Sequence, residues 1–330
     1  MKIAFFSALP FEQTCFESYC KHHQITYIPE ALDIDTVGKA KGHQAVCAFV
    51  NDDLSKPVLE RLHALNVSIV GLRSAGVDNV DQFTLTRLGM TLIKIPGYSP
   101  HAVAEHTVAL LLGLIRHLPE ASQRVQCGNF AIDGLMGTDL HGKTVGVIGT
   151  GRIGRAFAQI MLGFGCTLLA YDIQPSQPLR AAGVQYVSLN ELMAQADVVS
   201  LHCPLTNQTN ALIGPLTLAL MKPEAILINT ARGRLIDTDA VLNALDKQLL
   251  RGYATDVYEN EKSYFHHDFS EKDIPDNRLN RLRHHPNVLL TAHQGFLTKE
   301  TLSQIALGLL NQFTFYENRQ TQPTTQTSLC

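Results

Sequence analysis

The chain has 330 residues, of which 45% are hydrophobic and 17% charged, with a net charge of −3 at pH 7. That length supports two domains with cores of their own, and the near-neutral balance gives no bulk electrostatic reason to bind nucleic acid or an anionic membrane. No stretch is long and apolar enough to cross a bilayer, and seven scattered cysteines without a C-x-x-C pattern favour buried thiols in a reducing compartment, the cytoplasm, over disulfides or zinc.

The opening Met1-Lys2-Ile3-Ala4-Phe5-Phe6 reads as a first strand rather than a secretory leader. Its apolar run is short, Pro10 and Glu12 interrupt it, and no small-residue cleavage site stands out. Residues 2–6, 45–50, 69–72 and 91–95 read as strands, and segments such as 57–65 as helices. This βα rhythm predicts a parallel sheet with helices on its faces, forming a domain of its own. In the loop Arg73-Ser74-Ala75-Gly76-Val77-Asp78, small residues leave backbone N–H groups open to a carboxylate, although a plain strand-to-helix turn uses the same residues. Pro96-Gly97-Tyr98-Ser99-Pro100 has the composition of a hinge. The helix predicted over 101–117 is apolar nearly all round, so it should be buried, either between domains or between subunits. Glu105 and His106 on it read as a structural pair. Residues 119–142 are mixed and polar.

The stretch 143–172 is the most informative. Val145, Val147 and Ile148 read as a buried strand, and Gly149, Gly151 and Gly154 follow at G-x-G-x-x-G spacing. Ile153, Phe157, Ile160 and Met161 recur at helical intervals, and a second apolar run, 167–171, ends at Asp172. This strand–turn–helix–strand–acid unit is built to grip a dinucleotide. Gly149 allows the tight turn, Gly151 lets backbone approach the pyrophosphate, and Gly154 lets helix and strand pack closely. The helix start supplies N–H groups and partial positive charge. Asp172 can accept bonds from ribose hydroxyls and would repel a 2′-phosphate, which selects NAD over NADP.

Beyond Asp172 the rhythm resumes, with strands at 198–201, 226–229, 253–257 and 288–291, a short run at 184–187, and helices at 189–195 and 237–248. In open parallel sheets ligands bind beyond the carboxyl ends of strands. Arg232, Asp256 with Glu261, and His293 each follow such an end, so they can converge beside the cofactor. Residues 262–285 read as a surface excursion. His266, His267 and Asp268 lack complementary ligand spacing and read as solvated loop, as do His22–His23 and His284–His285, so no metal site is expected. An amphipathic helix is predicted over 302–315, and the Gln- and Thr-rich last dozen residues are expected to be disordered.

Hydride transfer requires a partner group that gains or loses a proton near neutral pH, and histidine suits it. His293 is the candidate. Glu261 can orient its ring and favour the protonated form. Arg232 can pair in bidentate fashion with a carboxylate and polarise a carbonyl.

With these residues in place, the whole chain resembles the D-isomer-specific 2-hydroxyacid dehydrogenase family, and within it the fermentative D-lactate branch. The motifs are Gly149-Thr150-Gly151-Arg152-Ile153-Gly154, Asn229-Thr230-Ala231-Arg232-Gly233, Asp256-Val257-Tyr258-Glu259-Asn260-Glu261 and His293-Gln294-Gly295-Phe296. Tyr98-Ser99-Pro100-His101-Ala102-Val103-Ala104-Glu105-His106 is similar to the family's hinge and interface helix.

The resemblance implies an α/β fold in which a Rossmann-type dinucleotide-binding domain, 100–296, is inserted in a flavodoxin-like substrate domain, 1–99 with 297–330. It implies NADH-dependent, reversible reduction of pyruvate to D-lactate. Arg232 binds substrate and polarises its carbonyl. His293 is the acid in reduction and the base in oxidation, and Glu261 supports it. Ala75 and Gly76 offer N–H groups to the substrate carboxylate, while Arg73, Tyr98 and Phe296 shape the pocket. On the cofactor side, Asp172 holds the adenosine ribose, Arg152 and Ile153 contact the pyrophosphate, and Asp256 lies near the nicotinamide carboxamide. His202, Cys203 and Pro204 flank the adenosine, and Thr230 and Ala231 complete the cofactor set. Family members close a cleft between domains and form dimers or tetramers, so a homo-oligomer acting on a small 2-keto or 2-hydroxy acid is expected, with no nucleic-acid or membrane partner.

Two residues depart from the family pattern: Arg234 replaces a small or apolar residue, which adds a cation that can face solvent or an anion, and Gly97 replaces a common alanine. A bulkier substrate of the D-2-hydroxyisocaproate or phenylpyruvate type keeps the same chemistry. Phosphoglycerate dehydrogenases often carry a regulatory domain for which the chain has no room, and formate dehydrogenases lack the glutamate. An NAD-sensing corepressor on the same fold is the reading of a different class. Turnover separates it from an enzyme.

Overall fold

The computed structural model describes residues 1–74, 76–95 and 99–321. Ala75 and Tyr98, assigned to the substrate pocket by resemblance, lie outside the described residues, as do Gly97 and residues 322–330 of the tail. The chain divides into two compact units: Met1–Ser99 together with the chain from Leu297 onward, and Pro100–Phe296.

In the first unit the apolar runs of the amino-terminal third become short strands: β1 (Lys2–Phe5), β2 (Gln24–Tyr27), β3 (Ala45–Ala48), β4 (Ile69–Leu72) and β5 (Thr91–Lys94). They form one sheet in the order β2-β1-β3-β4-β5, and every pairing is parallel. This is the flavodoxin-like order. All four residues of β3 and of β4 are buried, as expected of parallel strands covered on both faces. β2 was not anticipated from sequence, because Gln24-Ile25-Thr26-Tyr27 is a half-exposed edge strand. The carboxyl-terminal helix Lys299–Thr321 is longer than the predicted 302–315 and packs along Pro10–Tyr19. Its Phe313 ring sits against β4, where only glycine fits. A Cβ on Gly71 would lie 2.5 Å from that ring.

The second unit holds β6 (Thr144–Ile148), β7 (Thr167–Tyr171), β8 (Gln185–Tyr186), β9 (Val198–Leu201), β10 (Ile226–Asn229), β11 (Gly252–Thr255) and β12 (Val288–Leu290). Their order is β12-β11-β10-β9-β6-β7-β8, all parallel. Read from β8, this is the Rossmann order with one added strand, and its switch point lies between β6 and β9. Two hydrophobic clusters cover the faces. One gathers Leu192, Leu201, Leu227, Leu242 and Tyr253, and the other gathers Leu111, Val145, Phe157, Leu168 and Ile228. Each such side chain removed from water contributes about 1.5–3 kcal/mol.

The apolar helix Pro100–Ile115 uses its girth within this unit, against the helix Arg152–Gly163 and strands β11 and β12. Gly113 lets it approach Leu289, to which an added Cβ would come within 3.0 Å. Among the described residues four α-helices are absent from the sequence reading, and two of them, Gln177–Ala181 and Pro215–Leu218, are only 5 and 4 residues long. Leu118–Gln126 lies in the stretch read as mixed and polar. Asn277–His284 lies in the supposed surface excursion, where only Leu279 and Leu282 mark a buried face.

Candidate active site

At the switch point of the second unit, β6 ends in Gly149, whose φ of +91° is left-handed. A Cβ there would lie 2.6 Å from the Cys203 backbone nitrogen. At Gly154 a Cβ would lie 2.0 Å from the Gly149 carbonyl oxygen, so the helix can cross the turn this closely only as glycine. Gly151 is different, since a Cβ there meets nothing within 4 Å. It is the N-cap of the helix Arg152–Gly163, and no side chain caps that helix. Open space over a helix start with no side-chain acceptor is suited to a phosphate oxygen. Asp172, following β7, accepts from Thr150 N–H at 2.5 Å and from Gln174 N–H at 2.8 Å.

Across the switch point, His202 N–H donates to the Ile148 carbonyl at 2.7 Å. Its ring packs on Phe157 with centroids 5.0 Å apart and bonds Ser200 Oγ at 2.9 Å. Burial pushes the His202 pKa down to about 3, so the ring is neutral. The Cys203 thiol is pushed up to about 11, first by burial, and is not a nucleophile at neutral pH. Pro204 follows, exposed.

The turn after β10 is shaped by a residue whose part was not read from sequence. Asn229 is fully buried, and its side chain accepts from Ala231 N–H at 3.1 Å and donates to the Arg232 carbonyl at 2.8 Å. The asparagine in Asn229-Thr230-Ala231-Arg232-Gly233 is the signal that could have found it. Thr230 Oγ1 bonds Thr107 Oγ1 at 2.8 Å, and Arg232 Nη1 donates to the Ala231 carbonyl at 2.8 Å. Gly233 is pressed against the chain at Tyr258, whose carbonyl carbon would lie 2.2 Å from an added Cβ.

The turn after β11 and the turn after β12 meet. His293 Nδ1 and Glu261 Oε1 are 2.7 Å apart, both side chains largely shielded from solvent. Glu261 Oε2 also accepts from Tyr258 N–H at 3.1 Å. His293 has φ +49°, a conformation costly for a non-glycine residue. Asp256 holds it there. Its carbonyl accepts His293 N–H at 2.7 Å, and its carboxylate accepts Gln294 N–H at 2.9 Å, Gly295 N–H at 2.7 Å and Thr291 Oγ1–H at 2.6 Å. His106 closes the cluster, 3.1 Å from Thr291 Oγ1 and 3.3 Å from Asp256 Oδ1. Burial opposes charge on Asp256, but the bonds from His106, Thr291 and Gln294 outweigh it and hold the carboxyl below its usual range. His106 therefore pairs with Asp256, 150 positions away, rather than with its neighbour Glu105.

His266 was read as solvated loop, but its Nε2 lies 3.1 Å from the Ala292 carbonyl, beside His293. Burial, and then His293, keep its pKa low. Among the described residues no group of three or more His, Cys, Asp or Glu could hold a metal ion. Arg234 is exposed, at a shallow cavity shared with Asn210, Asp237, Glu259 and Arg278. Phe296, partly buried, ends the second unit.

Of the residues assigned to the substrate pocket, Arg73 requires a correction. It is only 2% exposed, and its Nη2 donates to the Phe6 and Ser7 carbonyls at 2.8 and 3.3 Å. Nε lies 3.5 Å from Glu12, and the guanidinium stacks 4.0 Å over Phe5 and 5.0 Å from the Phe49 ring. It is a structural cation tying the end of β4 to the end of β1. Gly76 is partly exposed. Its carbonyl accepts Ser74 Oγ–H at 2.9 Å, and among the described residues nothing accepts from its N–H.

The glycine cradle, the uncapped helix start and the acid after β7 fit an NAD pyrophosphate and ribose. Comparison with known proteins agrees. Residues 108–295 match the family model of the D-isomer specific 2-hydroxyacid dehydrogenase NAD-binding domain. A 2-hydroxyacid dehydrogenase A of Aspergillus oryzae is 47% identical over 95% of this chain and 92% of its own. The apo structure of Escherichia coli D-lactate dehydrogenase superposes with a TM-score of 0.88 at 39% identity, covering 98% of this chain and 99% of its own. The pyruvate reductase of Chlamydomonas reinhardtii superposes with a TM-score of 0.90 at 36% identity, covering 97% of each chain. The chain belongs to the D-isomer specific 2-hydroxyacid dehydrogenase family, and it is an NAD-dependent oxidoreductase.

Proposed function

We propose that the protein reduces pyruvate to D-lactate with NADH, reversibly. The observation that carries this reading is the 2.7 Å pairing of His293 Nδ1 with Glu261 Oε1, in the same unit as the glycine cradle. Bound NADH supplies the hydride to the carbonyl carbon. His293 Nε2–H gives its proton to the carbonyl oxygen, and in lactate oxidation the neutral ring takes that proton back. Glu261 accepts from Nδ1–H, fixing the tautomer and the orientation of the ring that gives up the proton. Arg232 pairs with the substrate carboxylate and polarises the carbonyl. Ala75 and Gly76 give N–H groups to the same carboxylate, and Tyr98 and Phe296 bound the pocket. This assigns the substrate to residues 1–99 with 297–330 and the cofactor to 100–296.

Asp172 takes the ribose hydroxyls, Arg152 and Ile153 the pyrophosphate, and Asp256 the carboxamide side. His202, Cys203, Pro204, Thr230 and Ala231 line the remainder of the cofactor path. We also propose a homo-oligomer in the cytoplasm. Leu118, Val125, Phe130, Ile132 and Met136 lie close in sequence and are all more than half exposed, a concentration of apolar surface that a second copy would cover.

The test is NADH oxidation with pyruvate, 2-ketobutyrate, 2-ketoisocaproate, phenylpyruvate, hydroxypyruvate and glyoxylate, with chiral analysis of the product. Preferred turnover of pyruvate to the D-isomer is expected. Preference for a bulkier acid would keep the chemistry and move the substrate, and NADH binding without turnover would favour a sensor.

A further inference from the structure

Asp172 is the last link in a directed chain of hydrogen bonds. Thr150 gives it two donors on Oδ2, the backbone N–H at 2.5 Å and the hydroxyl at 3.0 Å. A hydroxyl has one proton, so Thr150 Oγ1 can only accept from elsewhere. Tyr186 Oη donates to it at 2.9 Å. Tyr186 Oη in turn accepts the Ser176 N–H at 2.9 Å. Every proton in the series Ser176 N–H, Tyr186 Oη–H, Thr150 Oγ1–H, Asp172 Oδ2 therefore points toward the carboxylate, and each bond polarises the next.

The fold places these groups for a reason that local sequence does not require. β8 is only two residues long, an edge strand that pairs Tyr186 with Ala170 of β7. It sets the tyrosine beside the carboxyl ends of β6 and β7. The Arg180 guanidinium lies 5.2 Å over its ring. Thr150 is 4% exposed, so water is a poor substitute for the Tyr186 donor. Asp172 Oδ1 accepts one backbone N–H, from Gln174, and keeps acceptor capacity for ribose hydroxyls.

We infer that Tyr186 is a positioning residue for the Asp172 carboxylate, acting through Thr150, and that it thereby sets the preference for NADH over NADPH. The inference rests on the assignment of Asp172 to the adenosine ribose. With the chain intact, the carboxylate is held in one rotamer, ready to accept ribose hydroxyls and to repel a 2′-phosphate. Without the Tyr186 hydroxyl, the Thr150 hydroxyl is free to turn, and the carboxylate is left with the backbone N–H groups of Thr150 and Gln174 alone.

The experiment measures dissociation constants of NADH and NADPH by nicotinamide fluorescence, with no substrate present, for the native protein, Tyr186→Phe, Asp172→Ala and the double variant. Tyr186→Phe should narrow the NADH-over-NADPH preference about three- to tenfold, the scale of one hydrogen bond. Asp172→Ala should narrow it further, and the double variant should go no further than Asp172→Ala. Loss of folded protein lowers both affinities together and leaves the ratio alone. Should Tyr186→Phe not fold, Thr150→Val breaks the same chain and should narrow the preference similarly. An unchanged ratio in Tyr186→Phe beside a narrowed one in Asp172→Ala would remove Tyr186 from this role and keep the ribose assignment. An unchanged ratio in Asp172→Ala would overturn both. A Tyr186 effect that adds in full to that of Asp172→Ala would overturn the relay.

Discussion

The imidazole of His293 and the carboxylate of Glu261 approach to 2.7 Å, although they leave different strands and lie 32 positions apart. Glu261 starts a short turn after β11, and His293 sits in the left-handed region after β12. The pairing of β11 with β12, and the bonds from Asp256 to the turn at His293, bring the two turns together.

Removing the ring should remove the proton donor. His293→Ala is expected to lose about 10²–10⁴-fold in kcat for ketoacid reduction while still binding NADH by fluorescence. Glu261→Gln keeps the shape and removes the charge. Its kcat for reduction should fall about tenfold or more, the scale of one charge-assisted hydrogen bond, because the His293 ring loses its carboxylate partner. A His293→Ala enzyme of near-native rate would exclude the ring from the reaction.

Asp256 bonds four groups that hold the His293 turn. In Asp256→Asn an amide N–H₂ must face the backbone N–H of Gln294 or of Gly295, both obligate donors. Stability should fall by ~1–3 kcal/mol, and kcat should fall tenfold or more as the left-handed turn relaxes. Urea unfolding with steady-state kinetics measures both, and native values of both would show the turn to be self-supporting.

Gly154 faces the Gly149 carbonyl oxygen at a distance no Cβ can occupy. Gly154→Ala must push the helix Arg152–Gly163 off β6, at a cost of about 1–3 kcal/mol, and should weaken NADH binding at least tenfold. Calorimetric titration with NADH reads this directly, and native affinity would count against the close helix crossing.

His202 couples stability to pH. Burial takes its pKa from the ordinary 6.5 to about 3. Between those values the unfolded chain binds the extra proton, so stability present above pH ~6.5 is lost as pH falls toward 3, by up to ~1.4 kcal/mol per pH unit. Urea midpoints at neutral and mildly acidic pH should show a shallower loss in His202→Gln than in the native protein. Equal slopes would assign the acid sensitivity to other groups.

Much of the fold was legible because parallel strands buried on both faces are short apolar runs. Ile69–Leu72, Thr167–Tyr171, Val198–Leu201 and Ile226–Asn229 appear where the sequence places them. β2 and the helix Asn277–His284 escaped because each buries too little to interrupt a polar stretch. The polar helix looked like a surface loop, and its two leucines at helical spacing were the only trace.

By itself the sequence determined the dinucleotide cradle, since glycine spacing, helix start and terminal acid are local features whose chemistry follows from residue type. It also supplied the candidate acid, carboxylate and guanidinium, each just beyond a strand. Only the tertiary structure decided which side chains meet. It turned Arg73 inward onto two rings, joined His106 to Asp256, set His293 in a left-handed turn and brought Tyr186 to Thr150. These outcomes depend on strand order and on the burial of polar groups that must then find partners. Neither periodicity nor spacing along the chain carries that information.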